Sequence, residues 1–240
     1  RCISRAAGTV ISIVATGASP IKPPVEGLDL PGVHHCWTLE DARKIIELAH
    51  EGADVVLIGA GFIACIILES LVERGVNLTV VEMEDRMLPR MMDETGGDMI
   101  KRWCEKKGVN VRTGARVTKL EPRSSDGEDT LTVDIDNGDQ LPAHLVVVAA
   151  GVKSNTGFLD SSAVEVKTGI VVDNHLRSSV SNIYAAGDCA EGPDFSTGGW
   201  MVHAIQPTAT EHGKIAAMNM TGREVAYRGS LGMNVLDSTG

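Results

Sequence analysis

Gly59-Ala60-Gly61-Phe62-Ile63-Ala64 follows the apolar, β-branched run Val55 to Ile58 and opens an apolar helical stretch, Phe62 to Arg74, closed by Gly75. Asn77 to Val81 then reads as a second strand, and Glu82 ends it 23 positions after Gly59. Strand, glycine turn, helix and strand with a terminal acid form the context of a dinucleotide-binding βαβ unit, which commits this part of the chain to a parallel sheet. The first glycine allows the tight turn and the second lets a pyrophosphate approach the backbone. Ala64 stands where a third glycine would otherwise let helix and strand pack closely. The pyrophosphate is expected at the helix N-terminus, where unpaired N–H groups and the positive end of the dipole face it. Glu82 can accept hydrogen bonds from a ribose 2′-hydroxyl and would repel a 2′-phosphate, so the expected ligand is NAD(H). Arg86 lies near enough to oppose that preference; it reads as a solvated surface charge.

The rest of the chain extends this pattern. Val10 to Ala15 reads as a strand leading through Thr16-Gly17-Ala18-Ser19-Pro20 into a proline-rich linker, Ile21 to Pro31. Thr38 and Asp41 form an N-cap signature ahead of Ala42, Ile45, Ile46 and Ala49, with a stop at Gly52. Asp93 to Lys107 can be helical despite Gly96 and Gly97, and Val109 to Arg112 is a third strand. From Arg116 the period changes to two, with Leu131, Val133 and Ile135 and a turn at Asp136-Asn137-Gly138, which predicts an antiparallel meander before a last strand, Leu145 to Ala149. Short strands at Gly169 to Val172 and Asn182 to Ala186, a loop from Gly187 to Gly199 and a helix from about Thr208 to Met220 complete the reading.

Composition narrows the class. Hydrophobic residues make up 43% and charged residues 22% of 240, enough to bury a core. A net charge of −10 argues against nucleic acid or an anionic membrane surface as partner. No run reaches the roughly 18 apolar residues of a spanning helix, since Val55 to Val72 is broken by glycines and Glu69. The five cysteines, Cys2, Cys36, Cys65, Cys104 and Cys189, include no C-x-x-C pair and read as reduced thiols in a cytoplasmic protein. With no initiating Met and no secretory layout at Arg1-Cys2-Ile3-Ser4-Arg5, the chain reads as the interior of a longer one.

Together, Ala15-Thr16-Gly17-Ala18-Ser19-Pro20, the Gly59 to Ala64 loop, Val80-Val81-Glu82, Leu88-Pro89, Ala149-Ala150-Gly151 and Ile183-Tyr184-Ala185-Ala186-Gly187-Asp188 resemble the FAD-dependent pyridine nucleotide-disulfide oxidoreductase superfamily. Phe195 to Trp200 and Ile205 to Gly213 are most similar to its NADH-dependent branch with nitrite reductase-like reductase subunits. The resemblance implies a Rossmann-like doubly wound NAD-binding domain with an antiparallel meander, inserted in an FAD-binding domain. Carried over, residues 1–25 are the tail of the first FAD segment, 26–152 the NAD domain, 153–228 the second FAD segment and 229–240 the start of a truncated interface domain. It further implies that Gly59, Gly61 and Glu82 hold NAD, that Phe62, Ile63 and Gly151 lie toward the nicotinamide, and that Thr16, Gly17, Gly187 and Asp188 contact FAD. Asp188 would bond the flavin ribityl chain. The parent protein is expected to be a homodimer.

The departures are specific. The family's first glycine-rich FAD loop and any redox-active cysteine would lie upstream of Arg1, and Ile66 occupies a position where many relatives carry a glutamate near the nicotinamide. No catalytic residue is assigned and no metal site is expected: His34, His35 and Cys36 are metal-ligand types but sit in a linker without distant partners. His203 and Glu211-His212 border the flavin helix, where His212 reads as a helix-surface histidine. Met83, Glu84 and Asp85 read as solvated loop residues. The activity implied is hydride transfer from NADH to FAD with electrons passed to an unidentified acceptor. Two alternatives stand beside it: an NAD-binding fragment without flavin or turnover, and an electron-transfer subunit with a redox protein partner.

Overall fold

The computed structural model describes residues 3–6, 9–125 and 128–232. They form two compact units, Pro20–Gly151 and the described residues of Arg1–Ser19 with Val152–Asn234.

In Pro20–Gly151 five parallel strands form one sheet in the order Val33–His35, Leu145–Val148, Asp54–Ile58, Asn77–Glu82, Asn110–Thr113. Side-chain alternation divides the core. Val55, Leu57, Leu78, Val80, Val111, Leu145 and Val147 face one layer with Ile45, Leu68, Leu71 and Cys104 from the helices Leu39–Leu48, Phe62–Glu73 and Glu94–Lys106. Val56, Ile58, Val81, Val146 and Val148 face the other, where the meander Val117–Ser125, Glu128–Ile135, Gln140–Ala143 supplies Leu120, Leu131, Val133 and Ile135. The near-continuous apolar runs of these strands follow from burial on both faces. From Asp54–Ile58 the chain steps outward through two strands, then returns to lay Leu145–Val148 on the opposite side of Asp54–Ile58. That reversal puts a topological switch point beside the loop that begins at Gly59.

Two expectations for this unit need correction. Ile21 to Pro31 is not a free linker, since Val25, Leu28 and Leu30 pack on the meander-side core and the Glu26 carbonyl accepts from the Leu120 N–H at 2.8 Å. His34 and His35 likewise lie in the edge strand Val33–His35, three residues too short to show a period. The capping box holds: the Thr38 side chain accepts from the Asp41 N–H and the Asp41 carboxylate accepts from the Thr38 N–H.

In the second unit Ile3–Ala6 runs antiparallel to Thr9–Val14, which pairs in parallel with Ile183–Ala185. A further sheet contains Ile170–Val171, Ala190–Pro193 and Trp200–Met201. The stretch read as a loop from Gly187 to Gly199 therefore carries a buried strand. Glu191 lies within it, 7% exposed, and its carboxylate accepts from the Thr168 and Gly169 N–H groups. The helix Gln206–Met220 buries Thr208, His212, Ile215, Ala216 and Asn219, a helical stripe in which polar residues replace the usual apolar ones. Cys2, and residues 233–240 of the expected interface-domain segment, fall outside the described residues.

Candidate functional site

The glycine turn Gly59-Ala60-Gly61 is built at the carboxyl ends of three adjacent strands. Gly59 leaves Asp54–Ile58 with φ of 100°, and a Cβ there would stand 2.7 Å from the Ala149 carbonyl oxygen. Both conformation and close approach require glycine at this position. Gly61 is different. It caps the helix Phe62–Glu73 with φ of −75°, and an added Cβ would meet nothing within 4 Å. Neither backbone conformation nor packing calls for glycine here. What the missing side chain provides is open space over a helix N-terminus that no side chain caps, the arrangement that suits a pyrophosphate.

Glu82 ends the neighbouring strand and is 7% exposed. Its Oε2 accepts from the Ala60 N–H at 2.7 Å and its Oε1 from the Glu84 N–H at 2.9 Å. Each carboxylate oxygen retains a lone pair for a ligand hydroxyl. The Ala60 carbonyl accepts from the N–H of Leu88, a non-glycine residue at φ of 49°. Arg86 is not the solvated charge expected: its side chain is 26% exposed and lies near the carboxylates of Asp85 at 3.4 Å and Glu94 at 3.9 Å. Phe62 and Ile63 are partly buried against the helix-side core, and Gly151 follows Leu145–Val148 on the same sheet edge. Gly59, Gly61, Phe62, Ile63, Glu82 and Gly151 thus gather at one edge of one unit. The sequence named Ala60 and Leu88 within its motifs but gave neither a role, because the bonds that tie them to this site run through their backbone groups.

In the second unit the parallel pair Thr9–Val14 and Ile183–Ala185 ends at Thr16-Gly17 and Gly187-Asp188, bringing those four residues to one edge. The Thr16 hydroxyl donates to the Asn155 carbonyl at 2.7 Å, the Asn155 side-chain amide donates to the Thr16 carbonyl at 3.0 Å, and the Asn155 N–H donates to the Gly17 carbonyl at 2.9 Å. Asn155 therefore fixes the Thr16-Gly17 turn, a role with no motif to announce it. Burial raises the carboxyl pKa of Asp188, and its side chain has no hydrogen-bond partner among the described residues. A half-desolvated, unpartnered carboxylate at a strand end suits a polyol hydroxyl better than a turn-capping role.

His212 is not on the helix surface but 2% exposed, with Nδ1 accepting from the Gly187 N–H at 3.3 Å. Desolvation, reinforced by His203, pushes its pKa down to about 4, so the ring is neutral. His203 is buried beside Asp194, with 2.8 Å between Nε2 and Oδ2. Hydrogen bonds from Ser196 and Thr197, with a smaller contribution from His203, hold the Asp194 carboxyl well below the usual range. Burial raises the Cys65 and Cys104 thiols to about 12 and about 11, leaving neither reactive at neutral pH. Among the described residues no cluster of three or more His, Cys, Asp or Glu could hold a metal, and no helix is long and apolar enough to cross a membrane.

Residues 10–213 match the pyridine nucleotide-disulphide oxidoreductase family. The epsilon subunit of NADH-dependent phenylglyoxylate dehydrogenase from Aromatoleum evansii is 37% identical over 210 residues, 88% of this chain and 49% of that protein. An NADH oxidase from Methanocaldococcus jannaschii is 32% identical over 218 residues, 90% of this chain and 48% of that one. An NAD-dependent persulfide reductase from A. fulgidus superposes with a TM-score of 0.83 at 35% identity, covering 93% of this chain and 42% of its own. The chain spans about half the length of the curated relatives it matches.

Proposed function

The chain belongs to the pyridine nucleotide-disulphide oxidoreductases, and from that premise we propose that it is the nucleotide-handling part of an NADH-dependent flavin oxidoreductase. The observation that carries this reading is Gly61, a glycine that neither its backbone conformation nor its packing calls for and that a phosphate approaching the helix N-terminus does. When bound, NADH supplies a hydride, FAD accepts it, and the electrons leave to a separate acceptor.

The protein's own part is binding and orientation. Gly59 and Gly61 shape the pyrophosphate turn, and Glu82 offers carboxylate lone pairs to the adenosine ribose and repels a 2′-phosphate. With Asp85 and Glu94 beside it, Arg86 is poorly placed to reverse that preference. Phe62, Ile63 and Gly151 border the nicotinamide end with apolar surface, and Ile66, 48% exposed on the same helix, adds to it. Thr16, Gly17, Gly187 and Asp188 hold FAD, with Asp188 accepting from a ribityl hydroxyl. Hydride transfer requires no general acid, base or nucleophile, and none is assigned. On this reading residues 1–25 and 153–228 serve FAD and 26–152 serve NAD. A rubredoxin-NAD(+) reductase from Pseudomonas putida, 31% identical over 74% of this chain, supports a redox protein as the electron acceptor.

The test is a visible absorption spectrum of the purified chain, before and after FAD and then NADH are added under anaerobic conditions. Flavin bands that survive desalting and bleach with NADH are expected. A colourless protein that still binds NADH would restrict the chain to nucleotide binding, and one that binds neither would overturn the proposal.

A further inference from the structure

Glu82 does more in this fold than wait for a ribose. It is buried, and both carboxylate oxygens accept from backbone amides: Oε2 from Ala60, the middle residue of the glycine turn, and Oε1 from Glu84, in the loop that follows its own strand. The same two segments meet a second time, where the Leu88 N–H donates to the Ala60 carbonyl at 2.9 Å. Both backbone groups of Ala60 are therefore consumed by the segment from Glu82 to Leu88. The Gly59 N–H is held as well, by the Val81 carbonyl at 2.8 Å. Leu88 holds a left-handed backbone at this junction, a conformation that persists in a non-glycine residue only where its surroundings over-determine it. The side chains of Met87 and Leu88, 0% and 3% exposed, anchor the loop in the helix-side core.

We propose that Glu82 is a positioning residue for the pyrophosphate turn, a carboxylate latch that sets the geometry of Gly59-Ala60-Gly61 in the nucleotide-free protein, in addition to any bond it makes to the ribose. The inference rests on the NADH reading above. A charged acceptor is suited to this role because two amide donors converge on it in a buried place, where charge-assisted hydrogen bonds are strongest. Glutamine has only one acceptor oxygen. Its NH2 group would face one of the two amide N–H groups, donor against donor, and leave it buried without a partner.

Two measurements test this. The first compares the dissociation constants of NADH and its 2′-deoxyadenosine analogue for the wild type and Glu82→Gln. A latch predicts that the substitution weakens both ligands, the analogue by at least about fivefold, because the turn is displaced for either. If the analogue binds wild type and variant within twofold of each other while NADH alone weakens, Glu82 acts only on the ribose and the proposal fails. The second is amide hydrogen exchange on the nucleotide-free wild type, which does not depend on the variant folding or on NADH being the ligand. Slow exchange at Ala60 and Glu84 is expected; exchange as fast as in an open loop would overturn the latch. A wild type with slow exchange at these amides that binds no NADH would overturn the functional reading, and the nucleotide-positioning role with it, leaving only a structural tie.

Discussion

Gly59 and Gly61 sit two residues apart and have opposite reasons for being glycine, which makes them separable by experiment. Gly59→Ala places a Cβ against the Ala149 carbonyl oxygen at a φ few side chains adopt, and is expected to cost at least about 2 kcal/mol in thermal or urea unfolding. Gly61→Ala meets no atom and keeps an ordinary φ, so unfolding should change by less than about 1 kcal/mol, yet NADH titration should show affinity falling about tenfold or more. Equal stability losses in the two variants would mean that Gly61 serves the fold. The motif made both glycines and Glu82 legible in the sequence because their spacing between strand, helix and strand is read along the chain itself. The partners of Glu82 were not legible. Its bonds to Ala60 and Glu84 are made to backbone, and backbone amides are the same in every residue but proline.

At the level of elements, the helix Glu94–Lys106 explains its paired glycines. Gly97 is the residue where the helix touches the loop behind Glu82: a Cβ would lie 2.8 Å from Arg86 Cβ and 2.9 Å from the Met87 carbonyl oxygen. Gly97→Ala gains about 1 kcal/mol of helix propensity but overpacks a contact worth more, so a net destabilisation of about 1 kcal/mol is expected by thermal unfolding. Gly96→Ala meets chiefly the movable Met92 side chain and should be neutral or stabilising. If the two variants behave alike, the helix does not bear on that loop. The sequence reads this helix as possible despite its two glycines, since sequence pattern does not report how closely a neighbour approaches. For the same reason Val33–His35 and Ala190–Pro193 escape a sequence reading. Strands of three or four residues cannot display a period, and Ala190-Glu191-Gly192-Pro193 has the composition of a turn.

For the molecule as a whole, buried polar groups tie stability to pH. His212 is neutral when folded, with a pKa near 4 against an ordinary 6.5, so the unfolded chain binds the extra proton between those values. This contribution is fully present above about pH 6.5 and lost as pH falls toward 4, a change of about 3 kcal/mol. A melting series from pH 7 to 4 should fall more steeply for the wild type than for His212→Gln; identical slopes would refute the assignment. The sequence marked His212 only by its place beside the flavin-segment resemblance, because a polar residue in a buried helical stripe looks like one on a solvated face. The central claim, that the turn at Gly59 with Glu82 is built for NAD(H), is tested most directly by calorimetric titration of the chain with NADH and NADPH under identical conditions. The account predicts saturable NADH binding at one site, at least about tenfold tighter than NADPH. NADPH binding as tightly as NADH, or no binding of either, would contradict it.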